Sequence, residues 1–148
     1  MIRRVSVALH PDARRTINTA ANGAAPSETG GLLLGWWEDR QVVVRAAIEV
    51  ADPSASSNSW TRRKEDAQRA LDHAITTFDH PWIGYVGDWH SHPSTCDASH
   101  QDLASIRQAS LSYANPVILL VHRPDGQFDV RAAIGGRLRR AAVHVPSA

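Results

Sequence analysis

The residues best equipped for chemistry stand together in His90-Ser91-His92-Pro93. Residues 82–89 before them read as a strand. Side chains at i and i+2 of a strand leave the same face, so the two imidazoles converge on one point beyond its end. Pro93 stops the strand there and puts the pair at a rim. Imidazole is the commonest side-chain ligand for zinc and its neighbours. Downstream, Asp102 lies near the start of an expected helix and reaches back to complete a set of two histidines and one aspartate. Three such donors leave a fourth tetrahedral position open, which is the plan of a catalytic zinc site. Upstream, Glu28 stands at the mouth of an apolar run. Each has an ordinary alternative: two surface histidines facing one way, and a solvated loop glutamate. Asp97, five positions after His92, is a rival third ligand inside the loop.

The rest of the chain must position these groups. Val5–Leu9 alternates and reads as a strand. Pro11-Asp12 opens a helix with Ala13, Ile17, Ala20 and Ala21 at helical spacing, and residues 22–27 break it. Residues 31–37 are continuously apolar and residues 41–50 are rich in β-branched side chains, giving a hairpin or two adjacent strands. A polar loop of small residues, 52–59, leads to an amphipathic helix at 64–78, with Ala67, Ala70, Leu71, Ala74, Ile75 and Phe78 on one face. Ser99 reads as the N-cap of a helix at 102–111. Strands follow at 117–121 and 128–134 around an Asp125-Gly126 turn, with one more at 137–145. This order predicts an α/β fold, helices packed on a mixed sheet.

Composition narrows the function. At 148 residues and 43% hydrophobic, the chain forms one domain, 1–148, whose core needs no staple. Sixteen basic and fifteen acidic residues give a net charge of +1, which excludes an overall basic polyanion binder, so no nucleic acid is expected as partner. The clusters Arg62-Arg63-Lys64 and Arg137-x-Arg139-Arg140 read as solvated surface. The single cysteine, Cys96, excludes a disulfide framework and fits a reducing compartment. With no apolar run near the roughly 20 residues of a membrane span and no signal-peptide pattern in residues 1–12, a cytoplasmic protein without a membrane partner is expected.

Taken jointly, Glu28-Thr29-Gly30-Gly31-Leu32-Leu33-Leu34-Gly35, Gly87-Asp88-Trp89-His90-Ser91-His92-Pro93 and Ser99-x-x-Asp102 resemble the JAB/MPN (JAMM) metalloprotease family, in that family's order. One departure is visible: nine residues separate His92 from Asp102, one fewer than the family usually has. The resemblance implies a cytidine-deaminase-like α/β/α sandwich around a mixed, curved sheet. It implies Zn²⁺ on His90, His92 and Asp102, Glu28 as general base and then acid, and Ser99 steadying an oxyanion. The implied reaction is hydrolysis of an isopeptide or peptide bond at the C-terminal tail of a ubiquitin-like protein, in precursor processing or deconjugation. The tail would lie along a sheet edge, walled by Leu34, Trp36 and the loop ending at Trp60, with Trp60 or Trp89 covering it. The implied setting is bacterial, beside E1- and E2-like proteins of antiviral conjugation systems or in sulfur-carrier processing. Two other readings compete. A catalytically silent scaffold would have lost the glutamate or a ligand, and this chain keeps all five groups. Other enzymes with two histidines and a carboxylate, such as cupins, are all-β barrels that do not accommodate the helices.

Overall fold

The computed structural model describes residues 4–78, 80–94 and 96–147. The elements run β1 (Val5–Leu9), α1 (Pro11–Ala24), β2 (Gly30–Glu38), β3 (Gln41–Glu49), α2 (Lys64–Thr77), β4 (Gly84–Ser91), α3 (His100–Ala109), β5 (Val117–His122), β6 (Phe128–Ile134) and β7 (Arg137–His144). The seven strands are neighbours in the order β1-β3-β2-β4-β5-β6-β7. β1 pairs in parallel with both β3 and β7, so the sheet closes into a barrel. The expected class, α/β with a mixed and curved sheet, is what forms. The structure differs from the implied α/β/α sandwich in closing its sheet: curvature carries β7 round to β1, a pairing of distant segments that no local pattern announces.

Burial on both faces explains why β2 and β5 read as continuous apolar runs rather than alternating ones. Leu33, Ile118 and Leu120 share a core with Ala13 and Ile17 of α1. Leu32 packs with Ala67 of α2, and Leu34 with Ala74 of α2. Val117, Leu119 and Val121 pack with Ile106 of α3. Adjacent residues of one strand thus bury against different helices. Ile75, assigned to the apolar face of α2, is instead 42% exposed.

Two local devices bring the chain to the rim where the histidines lie. α1 starts on Pro11, capped by the His10 ring, whose Nδ1 accepts the Asp12 N–H at 3.0 Å. α3 starts on a capping box: the Ser99 hydroxyl accepts the Asp102 N–H at 3.1 Å, and the Asp102 carboxylate accepts the Ser99 N–H at 2.8 Å. β4 and β5 run parallel, with α3 between them in sequence, so the helix start sits near the carboxyl ends of two parallel strands. That is where open α/β sheets place their ligands. Gly87 permits this strand pair to close, since a Cβ there would lie 2.0 Å from the Ile118 carbonyl oxygen.

Candidate metal centre

β4 delivers His90 on its last turn of pleat, and His92 follows just beyond the strand, its N–H donating to the His122 carbonyl at 2.8 Å. The rings approach at 5.0 Å between centroids. His90 Nε2 lies 3.2 Å and His92 Nε2 3.4 Å from one oxygen, Asp102 Oδ2. Both histidines are largely buried. Ser91, between them, turns to the opposite face. Its hydroxyl accepts the Thr29 N–H at 2.9 Å, and its own N–H donates to the Thr29 carbonyl at 2.8 Å. That double tie holds the start of β2 against the end of β4 and places Glu28, itself buried, beside the imidazoles. Ligand atoms of Glu28, His90 and His92 all lie within 4.8 Å of one another.

Further contacts fix each ring. His92 Nδ1 is 3.2 Å from the Cys96 carbonyl, which leaves Nε2 for the centre, the outer-shell arrangement that metal-ligating histidines use. Trp60 stacks against His90 at 6.3 Å and 28°, its Nε1–H donating to the Val50 carbonyl at 3.1 Å. The contact requires Gly30, where a Cβ would come within 2.6 Å of the Trp89 carbonyl oxygen and 2.9 Å of both His90 Cβ and the Trp60 ring.

The donor set fits a divalent metal of zinc's type. Two neutral imidazoles and a carboxylate are its ordinary ligands. His90 Nε2 is buried, and despite its short approach to Asp102 it has no hydrogen bond of acceptable direction among the described residues. A buried nitrogen so placed requires an explanation, and a lone pair facing a cation is one. The ionised state of Asp102 agrees with that use. Burial alone would raise the Asp102 carboxyl, but the two imidazoles and the Ser99 N–H carry it well below the usual carboxylate range. Asp102 in turn raises His92. Burial pushes Glu28 above the usual glutamate value, and the neighbouring His92 and His90 pull it back only in part.

A cavity of about 330 Å³ opens over the centre, walled by Glu28, Trp60, both histidines, Ser99 and Asp102. The structure thus gathers Glu28, His90, His92, Ser99, Asp102 and Trp60 at one place. Asp97, the rival ligand, also lines this cavity but is paired with Arg123 at 3.0 Å. Three residues expected to touch substrate do not reach the cavity. Trp89 is wholly buried in the main core, its Nε1–H donating to the Ile48 carbonyl at 3.2 Å, because β4 points it away from the histidines. Leu34 is wholly buried beneath α2. Trp36 lies six residues along β2 from Gly30, about 20 Å away, stacked on His80. The sheet edge expected to hold the tail is not supplied by β2, which is paired on one side with β3 and on the other with β4. The parts missed in the sequence are Gly30, Ser91 and the Cys96 carbonyl; of these only Ser91 carried a signal, a hydroxyl set between two inward-facing histidines.

Fold and site together define a helix-flanked mixed-sheet protein with a two-histidine, one-aspartate centre and an adjacent glutamate. Residues 10–133 match the family described as prokaryotic homologs of the JAB domain, and the chain belongs to that family. A curated relative, the probable metalloprotease y4qB of Sinorhizobium fredii, is 27% identical over 128 residues, covering 77% of this chain and 74% of its own. In fold, the solution structure of protein DSY2949 from Desulfitobacterium hafniense matches with a TM-score of 0.66 at 16% identity, over 95% of this chain and 94% of the other. No helix among the described residues is long and apolar enough to cross a membrane.

Proposed function

We propose that the protein is a zinc-dependent peptidase that hydrolyses an amide bond at the C-terminal tail of a ubiquitin-like protein. What carries the reading is the meeting of His90, His92 and Asp102 around one point with Glu28 beside them. Family membership and the metalloprotease name of the Sinorhizobium relative support it. His90, His92 and Asp102 would hold the zinc, which when bound supplies a nucleophile at neutral pH and polarises the carbonyl. Glu28 accepts a proton at its carboxylate during attack and returns it to the leaving amine, work for which a buried glutamate of raised proton affinity is suited. Ser99 serves twice: its oxygen accepts the Asp102 N–H, and its hydroxyl hydrogen remains to be donated to the oxyanion from the cavity wall. Partners on this reading are the ubiquitin-like protein, free or conjugated, and the E1- and E2-like proteins of the same operon, in antiviral conjugation or sulfur-carrier processing.

The experiment is cleavage of a ubiquitin-like fusion encoded beside the gene, with metal analysis of protein purified without added metal. About one zinc per chain and release of the tail are expected. Zinc content unchanged in His90→Ala would refute the site, and intact fusion with zinc-loaded protein would refute the reaction.

A further inference from the structure

Arg62 belongs to a basic run that reads in sequence as solvated surface, yet the fold ties it into the wall beside the centre. Its Nη1 donates to Asp88 Oδ1 at 2.7 Å, and its guanidinium lies 5.8 Å over the Tyr85 ring. Tyr85 in turn donates its hydroxyl to Asp88 Oδ2 at 3.1 Å. The side chain keeps 37% exposure, and among the described residues Nε and Nη2 have no hydrogen-bond partner. A second cavity, of about 310 Å³, is lined by Arg62 and Asp88 together with His90, Asp102 and Trp60 of the centre, and has Ile106 in its wall. A third, between α2 and Tyr113, also has Arg62 in its wall. The first and second share Trp60, His90 and Asp102 in their walls, a trench beside the centre, and Arg62 stands at its border with the third.

We propose that Arg62 is a substrate-positioning residue, whose unengaged nitrogens donate to a main-chain carbonyl of an extended polypeptide lying in this trench. The proposal rests on the peptidase reading and adds to it the group that grips the chain. An extended substrate must satisfy its backbone groups, and the closed sheet offers no edge of β2 to do so. A side chain must stand in for the missing strand. Arginine is suited because its planar fork serves two acceptors at once, Asp88 on one nitrogen and a carbonyl on another. The acceptor is a neutral carbonyl and not a carboxylate side chain, because Asp88 already neutralises the guanidinium and would repel a second anion.

The rival role is structural, a pin between the β3–α2 loop and β4, and lysine separates the two. Lysine keeps a charge for Asp88 but lacks the fork. The probe is an equimolar mixture of synthetic tetradecapeptides, offered to zinc-loaded Glu28→Gln protein, with retained peptides counted by mass spectrometry. Adding Arg62→Ala or Arg62→Lys should each lower retention between about tenfold and a hundredfold, the effect of losing one charge-assisted hydrogen bond. Melting temperature and the total tryptophan fluorescence should stay unchanged in the lysine variant. Retention by Arg62→Lys equal to that of its parent overturns the proposal in favour of the pin, and so does absence of retention by the parent. Wild-type protein is given the ubiquitin-like fusion of the functional test for hydrolysis. Hydrolysis with no dependence of retention on Arg62 sinks the grip alone, whereas retention that depends on Arg62 without any hydrolysis sinks the peptidase reading alone.

Discussion

The β2–β4 strand pair carries a tryptophan–histidine stack at each end. At the end where Gly30 faces His90, Trp60 covers the imidazole at 6.3 Å and 28°. Towards the end where Gly35 faces Gly84, Trp36 lies on His80 at 3.9 Å and 4°, the tighter and flatter stack. Each end has its glutamate as well. Glu28 stands by the first pair, and Glu38 accepts the Trp36 Nε1–H at 2.9 Å by the second. Yet His80 spends Nδ1 on the Trp82 N–H at 3.1 Å, a local turn contact, whereas His90 Nε2 is buried without a hydrogen bond and shares Asp102 with a second imidazole. The aromatic cover and the nearby acid are therefore common to both ends. The second histidine and the aspartate, converging from another element, make one end a centre.

The largest difference should come from deleting each imidazole. His90→Ala should lose the metal and all measurable hydrolysis, while His80→Ala keeps both, read by elemental analysis and turnover. Comparable activity in the two variants would erase the contrast. Next come the glutamates. Glu28→Gln should cost roughly 10²–10⁴ in rate with metal retained, as expected for loss of a proton carrier, and Glu38→Gln should leave turnover at the wild-type level. Metal lost with Glu28 would make it a ligand instead.

The glycines give a smaller and purely structural test. Gly30→Ala drives a Cβ into the Trp89 carbonyl, His90 and Trp60 and should destabilise by about 1–3 kcal/mol. Gly84→Ala meets nothing within 4 Å and should be neutral or stabilise by about 0.4–1 kcal/mol, in denaturant titration. Smallest is a pH effect at the metal end. Burial lowers His122 below its ordinary value of 6.5. Below about that pH the unfolded chain takes up this proton more readily than the folded one, so the stability held at neutral pH declines as pH falls through 6.5 toward the folded value. His122→Gln should flatten that part of the decline between pH 7.5 and 5.5; an unchanged slope would assign it elsewhere.

The centre was legible because its chemistry depends on residue types at fixed local spacing. His90 and His92 share a face by strand period, and Ser99 with Asp102 form a capping box within one turn. What failed depended on which face of the sheet meets which helix. Trp89 differs from His90 by one position, and that single step sends it into the core. Leu34 is indistinguishable in sequence from a groove wall until α2 is seen to cover it. Arg62 reads as one of three consecutive basic residues, and only the fold supplies Asp88 and Tyr85. Closure of the barrel depends on β1 meeting β7, the first strand and the last, and is therefore the least local event in the chain.

Asp102 Oδ2 accepts the first N–H of the α3 cap and also faces both imidazoles. Occupancy of the centre and fraying of that helix are consequently linked equilibria. A cation present at a hundred times its dissociation constant adds about 2.7 kcal/mol to the state that binds it, and any opening that carries Asp102 away from the histidines forfeits that gain. Chelation should therefore quicken amide exchange at Asp102 and Leu103, whose N–H groups bond to the Ser99 hydroxyl and carbonyl, well before it touches the amides of β5. The first turn of one helix would thus report the ion's removal as a local melting.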